Sequence, residues 1–198
     1  MANFPIWCGQ EPPTAPALAL TNEEEAPISS AAEAERRIFQ LLNAARANAQ
    51  LAPLKWDERL AAIGRAHSLE MFAKGFVAHV SPTTGSAADR VKNAGIGAPI
   101  VLENIARAYS PGEAHAGLMN SPGHRANILN DEATHAGIGV VLGRQVADHP
   151  ELYVTQVFIR VPPHLDAVRA RGLARESLGK QRRAAGLPPF TLDPKLDE

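Results

Sequence analysis

The chain has a single cysteine, Cys8, in 198 residues. No intrachain disulfide can form, so packing and polar contacts alone must hold the fold. An excess of one charge is also missing. Lys and Arg number 20 against 21 Asp and Glu, a net charge of −1, which removes the electrostatic case for nucleic acid or an anionic membrane surface as partner. No apolar run is long enough to span a bilayer, and no signal-peptide pattern is visible. Ile6-Trp7 ahead of Cys8 fits lipoprotein processing poorly, so Cys8 reads as an ordinary thiol. A helical His-Glu-x-x-His run, the compact zinc signature, is absent as well.

What is present suits one globular domain with a real core, since 45% of residues are hydrophobic. Residues 1–29 carry Pro12-Pro13, Pro16, Pro27 and the acidic run Glu23-Glu24-Glu25, and read as an extended arm or linker. The globular unit is read as 30–163. Ser30 and Glu33 form a capping-box pattern, and Ile38, Leu41, Leu42 and Ala45 follow at helical spacing. A second helix is predicted from about Asp57 to Lys74, with Leu60, Ile63, His67 and Met71 on one face. Shorter helices are predicted from Ser86 to Asn93 and after Pro111-Gly112. Ile138 to Leu142 and Leu152 to Val161 read as a hairpin of buried strands. Helices first and strands late indicate an α+β domain.

The densest signal is Ser121-Pro122-Gly123-His124-Arg125-Ala126-Asn127-Ile128-Leu129. Ser121 is a good N-cap and Pro122 suits the first helical position. His124 then falls in the first turn, where the helix dipole favours the neutral, ligand-competent ring. Ala78-His79-Val80-Ser81-Pro82 and Leu102-Glu103-Asn104-Ile105-Ala106 add a histidine and a glutamate beside element boundaries.

These segments, with Leu42 to Arg46, Leu54 to Asp57, Ala66 to Met71, Gly137 to Val140 and Tyr153 to Phe158, occur in an order that resembles the CAP superfamily. That superfamily holds cysteine-rich secretory, antigen-five and pathogenesis-related proteins, and the likeness is to its bacterial SCP-domain branch. The resemblance covers roughly 33–160. It implies an α-β-α sandwich with a central antiparallel sheet between helical layers, and a secreted, periplasmic or cell-surface location. It also implies a cavity of two histidines and two glutamates. His79, Glu103 and His124 match three of those positions. Ser121 stands near the place of the second glutamate, and Glu113, two turns upstream, would reach the cavity only from an unusually oriented helix. Leu118 replaces a tryptophan common in bacterial relatives.

Two imidazoles and a carboxylate can hold Zn²⁺ or another divalent cation, with His79 and His124 as ligands and Glu103 as third ligand or orienting group. The alternative is that Glu103 orients one ring and the cluster knits helices to the sheet. Three functional readings follow. The first is a non-catalytic, extracytoplasmic binding module for a protein, cell-wall or small-molecule ligand. The second is a metal-dependent hydrolase of peptidase type. The third is a lipid or sterol carrier, needing an apolar groove near Gly95–Ile100. A serine-hydrolase reading fails, because Ser121 is read as occupied in capping and no strained elbow surrounds it. His67 reads as a satisfied core residue, and His135, His149 and His164 as loop residues. Residues 164–198 resemble the start of the same domain again: Gly186 to Leu196 parallels Gln50 to Leu60, and Leu178 and Arg182 keep the offset of Leu42 and Arg46.

Overall fold

The structure, a computed structural model, describes residues 30–146, 148–162 and 166–189. The arm with Cys8, His164 and the tail parallel from Phe190 onward lie outside the described residues. The element order is α1 (Ala31–Asn48), β1 (Lys55–Trp56), α2 (Glu58–Lys74), α3 (Ala87–Asn93), β2 (Val101–Ala108), α4 (Pro111–Asn120), α5 (Pro122–Ile128), β3 (His135–Val146), β4 (His149–Ile159) and α6 (Ala167–Ala184).

One four-stranded sheet in the order β1-β3-β4-β2 lies between helical layers. The three long strands are antiparallel, with Ile138 opposite Gln156 and Glu103 opposite Val157. Two-residue β1 joins the edge in parallel to β3, so the sheet is mixed at that margin. The fold is the expected α+β sandwich. Strand β2 departs from a helices-then-strands order, because it falls between α3 and α4. Its buried Glu103 and Asn104 break the apolar alternation that would have marked it in sequence.

Alternation along the strands sorts the core into two faces. Ala136, Ile138 and Val140 of β3 and Leu152, Val154 and Phe158 of β4 pack with Ile38 and Leu42 of α1 and Leu118 of α4. Val157 and Ile159 face the other way and meet Leu60 of α2, Val91 of α3 and Ile96. Helix α2 lies very close to the sheet. A Cβ on Gly139 would overlap the backbone of Gly64 and Arg65, and one on Gly137 that of Leu60 and Ala61. The Ser68 hydroxyl bonds the Gly139 carbonyl at 3.0 Å and Thr155 at 2.8 Å.

Capping follows local sequence. Ser30 accepts from the Glu33 amide, Asp57 from Arg59 and Leu60, and Ser86 forms a full capping box with Asp89. Ser121 differs. It is both the last residue of the α4 turn and the N-cap of α5, and its side chain makes no capping bond. Its backbone already serves both helices, donating to Leu118 and accepting from Arg125. His135 and His149 are also not loop residues: they open β3 and β4.

Candidate functional site

Three elements meet at the free margin of β2: the α2–α3 loop, α3 itself and α5. The loop is fastened at both ends. Ser81 and Gly85 exchange backbone hydrogen bonds, and the Ser81 hydroxyl accepts from the amides of Thr83 and Thr84 while donating to Glu70 at 2.6 Å. Lys74 and the hydroxyls of Ser81 and Thr83 hold the Glu70 carboxyl down to about 2. From the other side, Arg90 of α3 donates to the Gly85 carbonyl at 2.6 Å and to that of His79. The loop carrying His79 is therefore a braced structure.

Glu103 lies beneath it, 4% exposed at its side chain. One carboxylate oxygen takes the His79 Nδ1 at 3.0 Å and the other takes the equally buried Arg90 guanidinium. A carboxylate accepting from Nδ1 assigns the proton to that nitrogen, which leaves the Nε2 lone pair of half-exposed His79 directed away from Glu103. Glu103 thus orients His79, and both its oxygens are engaged. His67 sits below, 1% exposed, with Nε2 against the Ala78 carbonyl at 3.0 Å and Nδ1 without a partner. It is a core histidine but only half satisfied. Burial first, then the Arg90 charge, lowers its affinity for a proton.

His124 approaches from α5, its ring centre 6.1 Å from that of His79. An amide network places it. Asn104, fully buried, donates to the His124 carbonyl at 3.1 Å and to Gln156 at 3.0 Å, and accepts from Asn127, which also donates to the Glu103 carbonyl. Burial, then the neighbouring His79, holds His124 below the ordinary imidazole value. Desolvation is the leading cause, and α5 is a single short helix, so the dipole argument from sequence is not needed.

A groove of about 320 Å³ leads to His124 along β2, lined by Ile105, Arg107, Glu113, Leu118 and Ser121 among others. Glu113 lines this groove, and its carboxylate accepts from the Tyr109 amide at 2.8 Å. His115, on the same helix, is largely desolvated with an unpartnered Nδ1 and a lowered proton affinity. The structure therefore sets His79 between Glu103 and His124, and of these three His124 lines the groove together with Ser121. Among the described residues, no group of three or more His, Cys, Asp or Glu is arranged to hold a metal ion. Near Gly95–Ile100, Ile96 is 7% exposed and belongs to the core, while Pro99 is exposed and Ile100 half-buried. Sequence reasoning missed Arg90 and the role of Asn104. A charged residue in a short helix is usually solvated, and only the fold shows Arg90 turned inward.

The cysteine-rich secretory protein family, CAP, matches residues 39–158. The chain belongs to this family. Two relatives come from Bacillus subtilis (strain 168). Uncharacterized protein YkwD is 43% identical over 129 residues, which is 64% of this chain and 50% of that protein. Uncharacterized membrane protein YlbC is 36% identical over 127 residues, 64% of this chain and 34% of that one. The chain thus spans half or less of the curated relatives it matches. Among solved structures, an extracellular SCP-domain protein from Bacillus anthracis str. Ames superposes with a TM-score of 0.57 at 35% identity, covering 65% of this chain and 40% of that one. An outer surface protein from Borrelia burgdorferi gives 0.59 at 15% identity over 67% and 96%, a likeness of fold alone. Among the described residues no helix is long and apolar enough to cross a membrane.

Proposed function

We propose that the chain is an extracytoplasmic binding module, not an enzyme, which presents the imidazoles of His79 and His124 beside the groove to a small-molecule or cell-wall ligand or to a divalent cation. The observation that carries this is the orientation of His79 by Glu103 beside a desolvated His124. Two ring nitrogens suit an open cation site whose other positions go to water or ligand. They do not make a closed tetrahedral zinc centre, which takes four protein ligands. Glu103 acts behind His79 as an orienting carboxylate. With both its oxygens bonded, it is poorly placed to serve as the general base a metal-dependent hydrolase would use. The extracytoplasmic location rests on the Bacillus anthracis relative, which is described as extracellular.

Calorimetric titration of Zn²⁺ into metal-stripped protein tests the cation arm. Saturable heat that disappears in a His79→Ala, His124→Ala double variant is expected. Identical traces for the two proteins would end the cation reading and leave the small-molecule or cell-wall ligand.

A further inference from the structure

We propose that α6 and the turn after it form a second α1 unit, built to dock on a CAP-type sheet-and-helix layer other than its own, one with an acidic group where this domain carries Arg65. The two helices match in length and in the geometry of their ends. Each is 18 residues long and begins after a side-chain cap, Ser30 in one and Asp166 in the other. Each ends alike, with Ala49 at φ −89° and ψ 9° and Ala185 at φ −86° and ψ 5°. A left-handed residue follows, Gln50 at φ 58° and Gly186 at φ 67°. The Leu51 amide then bonds the Arg46 carbonyl, and the Leu187 amide bonds the Arg182 carbonyl, both at 2.9 Å. Finally, Arg46 Nε donates to the Ala52 carbonyl at 2.9 Å, and Arg182 Nε donates to that of Pro188 at 2.7 Å. An arginine folded back on the carbonyl six residues ahead is not a general helix ending. Its recurrence at matching positions argues for duplication rather than chance.

The use of α1 shows what such a unit is for. Its Ala34, Ile38, Leu42 and Arg46 are buried against the sheet and α4, and Arg46 reaches onward to the carbonyls of Ile128 and Asn130. The equivalent face of α6 carries Ala170, Ala174, Leu178 and Arg182, and no α6 side chain described is buried. Leu178 is 51% and Leu187 50% exposed. Charge decides against this domain's own layer as the occupant. Glu35 of α1 pairs with Arg65 at 2.7 Å and accepts from the Val140 amide. Arg171 stands at its place in α6, and on this sheet it would meet Arg65 as a like charge. Gly179 also replaces Asn43, which clamps Leu54 through both its amide and its carbonyl, so the clamp to β1 is absent from the second unit.

The test places the α6 sequence in the α1 seat of the full chain. Residues 31–52 are replaced by the sequence of 167–188 together with Arg65→Glu, and compared with a graft in which the 167–184 portion is shuffled at constant composition. Because Ala174 leaves the volume of Ile38 empty, a second pair of grafts retains Ile38. In at least one pair, the register-true graft is expected to unfold in one cooperative transition at least about 10 °C above its shuffled control. The same graft with Arg65 retained should lose that gain. Equal behaviour of true and shuffled grafts in both pairs would overturn the proposal. A graft equally stable with Arg65 would overturn the acidic-partner part of it.

Discussion

At the scale of single residues, the site depends on the buried ion pair of Glu103 and Arg90. Glu103 and Arg90 are both nearly inaccessible, so Glu103→Gln leaves a guanidinium desolvated against a neutral amide. The expected loss is about 3–5 kcal/mol by urea unfolding, and Arg90→Met with Glu103→Leu together should recover much of it. A double variant no more stable than the single would mean that the pair does not act as a unit. A second consequence concerns protons. His67, His115 and His124 all bind protons less readily in the folded chain, burial being the leading cause in each. Below the ordinary imidazole value of about 6.5 the unfolded chain therefore takes up more protons than the folded one. That stability is fully present above about pH 6.5 and declines as pH falls toward the lowered native values. One such group contributes a slope of at most about 1.4 kcal/mol per pH unit. Denaturant midpoints measured from pH 7 to 5 should fall in the wild type and fall less steeply in His67→Phe.

At the scale of elements, the contact of α2 with the sheet is set by glycines, and it yields a contrast between two alanine substitutions. Gly139→Ala forces a methyl into the α2 backbone and should cost about 3 kcal/mol, at the upper end of overpacking effects. Gly95→Ala meets open space and is strained only through its φ of 72°, so about 1 kcal/mol is expected. Similar losses on urea unfolding would contradict this account of the α2–β3 contact. The reverse substitution applies at Gln50, which holds a left-handed conformation where the second unit has Gly186. Gln50→Gly should stabilise the α1 turn by about 0.5–1 kcal/mol, read as a higher thermal midpoint. The helices were legible from caps and spacing because those signals are local: Ser30, Asp57 and Ser86 cap as their sequences indicate. Strand β2 was not, because its register is set by β4 and its central pair, Glu103 and Asn104, is polar. Ser121 misled for a similar reason. Its residue type marks a cap, but two helices share it and its hydroxyl is left to the groove.

At the scale of the whole molecule, the order of motifs was enough to place His79, Glu103 and His124 near one another, since a family fold carries long-range proximity that spacing alone does not. The orienting role of Glu103 could not be read that way. It depends on Arg90 turning inward from α3, and on Asn104 linking α5 to two strands. The same long-range logic separates α1 from α6, which look alike in sequence yet differ in burial. Leu42 is fully buried and Leu178 is 51% exposed. Leu42→Asp places a charge in the core and should destabilise the domain by at least about 4 kcal/mol, enough to abolish cooperative unfolding. Leu178→Asp touches no part of that core, so the thermal midpoint should stay within about 2 °C of wild type. If Leu178→Asp lowered the midpoint as Leu42→Asp does, α6 would be part of the same cooperative unit as the sheet. Its exposed leucines would then be packing against this domain in solution, not awaiting a second layer.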